Sequence, residues 1–131
     1  MNLKRALNNE EFVMYLQPQV DFKGIARGAE ALVRWRHPVK GLLSPAVFVD
    51  VLEKAGLIYK IDKYMWEKAA AKLKEWKELG KEQYHISVNI STKDFYLVDV
   101  YETFVDIVER NGINPEKLKP VSYTHLTLPT T

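Results

Sequence analysis

The chain has 131 residues, a hydrophobic fraction of 47% and a formal net charge of +2. This length suits one modest domain, and the near balance of charges gives no argument for a nucleic-acid polymer or an anionic membrane as a partner. The sequence has no cysteine, which excludes disulfides and thiolate metal sites. It also has neither a signal-peptide core nor an apolar run of membrane length, so we expect a soluble, cytoplasmic chain.

The first part of the chain predicts a short helix and two strands. Leu3 and Leu7 would share one face of a leading helix over residues 1–11. Residues 12–21 alternate apolar and polar side chains, which indicates a strand, and Pro18 favours an edge or irregular position for it. After a turn at Lys23-Gly24, a second strand over residues 25–36 could pair with the first as a hairpin.

The rest of the chain alternates helices with strands. Residues 37–43 are predicted as a loop, Ser44-Pro45 as a helix start and Gly56 as the end of that helix. The apolar spacing then predicts a helix over 59–79, a strand over 84–90 and a helix over 98–109, the last with Val98, Tyr101, Val105 and Val108 on one side. Helices between strands favour parallel βαβ units. A closed (β/α)8 barrel needs eight strands, so only part of one could be present.

The second strand carries a charged face. Glu30, Leu32, Arg34 and Arg36 lie on one side of it, and the residues between them face the other way. Such charges are costly to bury without partners. They could serve a Mg²⁺ or Mn²⁺ ion held by the carboxylate and a phosphate held by a guanidinium. The alternative, which spacing alone favours, is an ion pair between Glu30 and Arg34 or a face turned to solvent.

Two amide side chains are further candidates. Asn89 lies near the end of the third strand, where catalytic groups of parallel barrels are found, and its oxygen could ligate a hard cation. Alternatively, Asn89 turns the chain or caps the next helix. Gln17 faces away from the apolar side of the first strand and could hydrogen-bond a base or a phosphate, although polar outward faces are common.

Six segments between residues 12 and 119 occur in an order and spacing that resemble the N-terminal half of an EAL domain. They are Tyr15-Leu16-Gln17-Pro18-Gln19-Val20, Gly28-Ala29-Glu30-Ala31-Leu32-Val33-Arg34-Trp35, Leu43-Ser44-Pro45 with Phe48, Glu53-Lys54-Ala55-Gly56-Leu57-Ile58, Trp76, and Ser87-Val88-Asn89-Ile90-Ser91. The resemblance implies an α/β fold. This would be a partial (β/α)8 TIM-like barrel with an antiparallel first strand, truncated after about three to four strands.

The resemblance also implies a chemistry. Members of the family hydrolyse cyclic di-GMP to the linear dinucleotide with two Mg²⁺ or Mn²⁺ ions. By position, Glu30 and Asn89 correspond to catalytic metal ligands. Ligand binding is implied for four residues, Gln17, Leu32, Arg34 and Pro45, among which Arg34 would contact phosphate. The alternative is a non-catalytic EAL-type module that binds cyclic di-GMP or a protein, and the full-length protein could form a homodimer.

The resemblance ends near Lys119. There the family continues with a strand of the pattern Glu-hydrophobic-Thr-Glu, whereas this chain has Pro120-Val121-Ser122-Tyr123 and no charged residue after Lys119. We therefore divide the chain into a leading helix (1–11), the N-terminal half of the domain (12–119) and a non-family tail (120–131), expected to be disordered or artefactual. Glu30 and Asn89 alone leave too much of a near-octahedral Mg²⁺ shell to water. The fragment is thus expected to be unstable or aggregated, and inactive alone.

Overall fold

The computed structural model describes residues 2–123, and every structural statement below refers to that part of the chain. The elements in chain order are α1 (Leu3–Asn8), β1 (Phe12–Val20), β2 (Ala26–His37), β3 (Gly41–Leu43), α2 (Pro45–Lys54), α3 (Ile58–Glu78), β4 (His85–Ser91), α4 (Asp94–Leu97), α5 (Val100–Asn111), a 3-10 turn (Pro115–Lys117) and β5 (Leu118–Tyr123). The predicted succession of strands and helices is thereby confirmed, with shifts of a few residues at their ends.

One mixed sheet organises the described residues. Its strand order is β1-β2-β4-β5, with β3 paired to the C-terminal end of β2. The β1–β2 pair is antiparallel, whereas β2–β4 and β4–β5 are parallel. This agrees with the expected partial barrel that begins with an antiparallel strand. Pro18 lies on the edge strand β1, where its missing N–H removes no bond from the interior of the sheet.

Three segments differ from the sequence prediction. Residues 94–97, to which the sequence assigns no element, form α4. A loop is predicted over residues 37–43, but residues 41–43 form β3, which is too short to show a period of two. A tail is predicted from residue 120, but residues 120–123 continue β5 in parallel register with β4. Strand pairing is made by backbone hydrogen bonds, so residues 120–123 can pair with β4 although their side chains show no strand pattern. The remaining part of the predicted tail, residues 124–131, lies outside the described residues.

The buried face of α5 agrees with the predicted one only in part: Val98 and Val108 pack against the core, but Tyr101 and Val105 do not. Tyr101 is 77% exposed and Val105 37% exposed, while Ile107 is fully buried. At 100° per residue, Val105 lies almost opposite Ile107 on the helix, so both cannot face the core. The helix begins at Val100, capped by the Asp99 side chain, which accepts a hydrogen bond from the backbone N–H of Glu102.

The core lies between one face of the sheet and helices α2, α3 and α5. The strands contribute the apolar residues of β2 and β4 that face the helices, Ala29, Ala31, Trp35, Ile86, Val88 and Ile90. Phe12 stacks on Trp35 with ring centroids 5.3 Å apart and meets Phe48 of α2 at 5.6 Å, which fastens β1 to the helix layer. Among the described residues, no helix is both long and apolar enough to cross a membrane.

An open apolar groove of about 840 Å³ lies beside the last strand. We call it the α5–β5 groove, and it is lined by residues that include Phe95, Tyr101, Phe104, Val105 and Pro120. Phe95 is 56% exposed there, Tyr101 is 77% exposed and Val105 is 37% exposed. On this side the helix layer stops at α5, while β5 is the end of the described sheet.

Candidate functional site

A row of four polar side chains crosses the sheet face opposite the helices. The register places Gln17 of β1 beside Glu30 of β2, Glu30 beside Ser87 of β4, and Ser87 beside Lys119 of β5. Residues paired in register point to the same side of a sheet, so these four side chains share one face. We call Gln17, Glu30, Ser87 and Lys119 the polar row. Two of its members, Gln17 and Glu30, are predicted site residues.

Asn89 lies on the same face as Glu30, one step further along the sheet. It follows Ser87 by two residues on β4, which displaces it from the polar row by about 7 Å along the strand. Glu30 and Asn89 are both half-buried. The fold thus brings the two predicted metal ligands onto neighbouring strands, in a diagonal arrangement that the sequence pattern alone does not establish.

Arg34 lies on the same sheet face, near the C-terminal end of β2. Its Nη1 donates to the backbone oxygen of Val33 at 2.9 Å, and its guanidinium carbon lies 5.8 Å from the centre of the Tyr15 ring. This cation–π contact orients the guanidinium plane, and its remaining N–H groups can still donate to an anion. The sequence predicts no site role for Tyr15, although Tyr15 lies two residues before Gln17 and therefore on the same face of β1.

Leu32 and Pro45 have different relations to this face. Leu32 is half-buried on β2 between Glu30 and Arg34, in register with Tyr15. Pro45 is the first residue of α2 and lies outside the sheet, two residues after β3. The structure therefore brings five of the six predicted site residues onto one sheet face and places Pro45 on a separate element.

A second polar group lies at the N-terminal end of β4. The His85 Nε2 atom is 3.0 Å from Gln19 Oε1, and the Ser87 hydroxyl donates to the same oxygen at 3.3 Å. Burial, together with the positive charges of Lys119 and Lys117, lowers the pKa of His85. Gly28 leaves the space for this group, because a Cβ atom there would lie 2.7 Å from two atoms of the His85 ring.

The side-chain oxygen atoms on this face are of the type that binds a divalent cation, but there are too few of them. Carboxylate and amide oxygens are ligands that Mg²⁺ and Mn²⁺ accept. Within residues 2–123, however, no three His, Asp or Glu side chains are grouped so that they could hold a metal ion. The neighbours that β5 supplies are Lys119 beside Ser87 and Val121 beside Asn89. An ammonium group repels a cation, and a valine side chain cannot ligate one.

The backbone of Asn89 is fixed from behind the sheet. Trp66 of α3 is fully buried, and its indole N–H donates to the Asn89 carbonyl oxygen at 3.0 Å. The ring of Trp66 is in turn packed against Phe104, with centroids 4.7 Å apart. Sequence periodicity assigns Trp66 only a packing role, since a hydrogen bond from α3 to β4 has no local signature.

Comparisons with known proteins agree on one family. The family model described as "EAL domain" matches residues 1–119. The bifunctional diguanylate cyclase/cyclic di-GMP phosphodiesterase MucR of Pseudomonas aeruginosa is 34% identical over 118 residues, 89% of this chain and 17% of that protein. The probable cyclic di-GMP phosphodiesterase PdeG of Escherichia coli K12 is 36% identical over 105 residues, 79% of this chain and 20% of that protein.

A solved structure shows the same architecture. The PaMucR phosphodiesterase in complex with c-di-GMP superposes with a TM-score of 0.85 at 31% identity, over 91% of this chain and 49% of that one. This chain therefore spans about half the length of the solved relative and a fifth or less of the two curated ones. The family model and the shared fold together show that the chain belongs to the EAL domain family, as the N-terminal part of that domain.

Proposed function

We propose that the protein to which this chain belongs is a cyclic di-GMP phosphodiesterase. It would cleave one phosphodiester bond of the cyclic dinucleotide and release the linear form, with Mg²⁺ or Mn²⁺ as cofactor. The observation that carries this proposal is the placement of Glu30, Arg34 and Asn89 on one open sheet face. The names of MucR and PdeG, and the c-di-GMP complex of PaMucR, support the choice of substrate.

Each predicted residue has a role that its position can serve. Glu30 and Asn89 would hold the divalent cation, which when bound lowers the pKa of water and neutralises phosphate charge. Arg34 would donate its free N–H groups to a phosphate of the substrate. Gln17, beside Glu30 on the edge strand, would hydrogen-bond the ligand. The apolar ligand contacts would come from two residues, Leu32 and Pro45.

The full-length protein provides the test of this activity. We expect hydrolysis of cyclic di-GMP, followed by chromatography of the linear product, to require Mg²⁺ or Mn²⁺. Glu30→Gln and Asn89→Ala should each lower kcat by at least about 10- to 100-fold, the loss that follows when even a hydrogen-bond partner of a metal ligand is removed. Glu78→Gln, which removes a carboxylate from the exposed end of α3, is the matched control. Cyclic di-GMP binding without any turnover would refute the proposal and favour the non-catalytic module.

We further propose that the 131-residue chain alone is inactive and that its segment 120–131 is not EAL sequence. The shortage of oxygen donors beside Asn89 supports the first statement, and the end of the family match at residue 119 supports the second. Calorimetry of the chain with cyclic di-GMP, with and without Mg²⁺, tests the first; turnover at ordinary enzyme rates would refute it. Resequencing the locus tests the second.

We also propose a cytoplasmic location and a homodimer for the full-length protein. Cell fractionation tests the location, and size-exclusion chromatography tests the homodimer.

A further inference from the structure

Two side chains from non-adjacent strands meet across the sheet above a glycine. Gln19 of β1 is paired with Gly28 of β2, and Gly28 is paired with His85 of β4. Neighbouring strands lie about 4.8 Å apart, so the backbones of Gln19 and His85 are separated by roughly 10 Å, with β2 between them. Their side chains close this distance. The His85 Nε2 atom lies 3.0 Å from Gln19 Oε1, and the Ser87 hydroxyl donates to the same oxygen at 3.3 Å. We call this set of contacts the β1–β4 bridge.

The bridge depends on the missing side chain of Gly28. A Cβ atom there would lie 2.7 Å from two atoms of the His85 ring and closer still to the His85 carbonyl oxygen. The other five glycines of the chain have a positive φ, which favours glycine for its backbone freedom, but Gly28 does not. The close approach of Gln19 and His85 is therefore the physical reason for glycine at this position.

The bridge lies on the sheet face that carries the polar row. Its three positions, Gln19, Gly28 and His85, each lie two residues along their strand from a member of that row. Residues two apart on a strand point to the same side, about 7 Å from each other. Ser87 connects the two levels, because it is paired in register with Glu30 and donates to Gln19.

The bridge attaches β1 where its backbone pairing becomes irregular. In the described sheet β1 is an edge strand whose one neighbour is β2, and the register of that pair shifts between Gln19 and Val20. Such an irregularity disrupts the ladder locally. A side-chain contact that reaches past β2 to β4 supplies a second attachment there. The same strand carries Gln17 and also Tyr15, whose ring lies 5.8 Å from the guanidinium carbon of Arg34.

The bridge is made without a net charge. Burial lowers the pKa of His85 from its ordinary value of 6.5 most strongly, and the charges of Lys119 and Lys117 lower it further, against a hydrogen bond with the Arg27 backbone. The ring is therefore neutral at pH 7. A neutral imidazole has one N–H and one lone pair, and an amide has donors and an acceptor. His85 and Gln19 can thus hydrogen-bond whichever ring nitrogen carries the hydrogen.

We propose that Gln19 and His85 are positioning residues for the ligand. Through the β1–β4 bridge they fix β1 on the sheet. That strand in turn carries Gln17 and orients Arg34 through Tyr15, so both predicted ligand contacts depend on its place. The consequence for the ligand rests on the proposed function, whereas the bridge itself does not.

Two variants of the full-length protein remove the bridge with little change of shape. Gln19→Met keeps the length of the side chain without the amide, and His85→Phe keeps a ring without nitrogen atoms. We expect each to raise KM for cyclic di-GMP about fivefold or more, the change that the loss of one hydrogen bond makes in an equilibrium. The kcat should stay within about twofold, because β1 carries predicted ligand contacts but no predicted cation ligand.

Amide exchange of residues 15–19, measured by mass spectrometry, reports on the bridge without any turnover. It should accelerate about fivefold or more in Gln19→Met and His85→Phe. His85→Gln, whose amide can again hydrogen-bond to Gln19, should restore both the exchange rate and KM. Gln83→Met, on the exposed turn before β4, is the matched control and should change neither.

Each part of the proposal has its own contrary result. Unchanged exchange of residues 15–19 in both variants would refute the bridge. Faster exchange with an unchanged KM, or a loss of thermal stability alone, would overturn the positioning role. An original protein without turnover would count against the phosphodiesterase, and the dissociation constant of cyclic di-GMP would then replace KM in the same comparison. A protein that also binds no cyclic di-GMP would overturn the positioning role, while the exchange data would still decide the bridge.

Discussion

Replacing Trp66 by Phe tests the contact that fixes the Asn89 backbone from α3. Phe would keep an aromatic ring against Phe104 but has no N–H to donate to the Asn89 carbonyl, which Trp66 reaches at 3.0 Å. A buried carbonyl that loses its donor costs about 1–3 kcal/mol. The loss of roughly 40 Å³ of side-chain volume adds ~1 kcal/mol in a site that cannot collapse. We therefore expect a loss of about 2–4 kcal/mol, out of the roughly 5–15 kcal/mol that stabilise a typical domain.

Urea unfolding of the full-length protein, followed by circular dichroism, measures this loss directly. The transition midpoint should fall while the slope with urea stays constant, since the surface exposed on unfolding is nearly the same. The matched control is Trp76→Phe on the same helix, where the side chain is half-buried, and a loss under about 1 kcal/mol is expected. Amide exchange should also accelerate at Asn89 and Ser91. If Trp66→Phe and Trp76→Phe cost the same, the indole hydrogen bond does not hold the end of β4.

Three further predictions concern the sheet. Gly28→Ala should cost about 1–3 kcal/mol in urea unfolding, because its Cβ would force β2 away from His85. Loss of β2–β4 amide protection should accompany it, and Lys74→Ala, on the exposed side of α3, should not cause that loss. Hydrogen bonds from the Ile25 and Lys23 N–H groups, and the contact with Arg27, lower the pKa of Asp21. Its stabilisation is present above pH 3.8 and lost as the pH falls through the lower folded pKa, so Asp21→Asn should flatten acid unfolding, and an unchanged acid transition would contradict this. Val121→Glu should place a carboxylate beside Asn89 and give the chain calorimetrically measurable Mn²⁺ binding, which Val39→Glu, on an exposed loop, should not.

Local patterns predicted the elements that have enough residues to show a period. The alternation along β1, β2 and β4 and the apolar spacing of α2 and α3 identify those elements, and the hairpin follows from its short turn. The strand β3 has three residues, and β5 contains Pro120 and Lys119, so neither shows a readable alternation. The face of α5 was predicted only in part, since Val108 packs against the core but Tyr101 and Val105 do not. Apolar residues occupy several sides of that helix, and only packing against α3 selects among them.

The same distinction applies to the candidate site: residues of one strand could be placed together from the sequence, whereas residues of different strands could not. Alternation places Glu30 and Arg34 on one face because both belong to one strand. That Gln17 and Asn89 join them depends on the register between strands, which is set by contacts between distant parts of the chain. Tertiary pairs such as Tyr15 with Arg34, or Trp66 with the Asn89 carbonyl, lack any sequence signature. The resemblance to EAL domains supplied the roles for which alternation alone gave only positions.

The α5–β5 groove bears on the order in which the parts of an EAL domain form during synthesis. Synthesis proceeds from the N-terminus, so a nascent chain can complete β1, β2, β4 and α5 before any later strand of an EAL barrel leaves the ribosome. At that moment Phe95, Tyr101 and Val105 leave this groove open to water. Exposed apolar surface beside an unpaired strand edge makes a partly folded chain prone to aggregation, so the order of synthesis leaves such a barrel most vulnerable on this side.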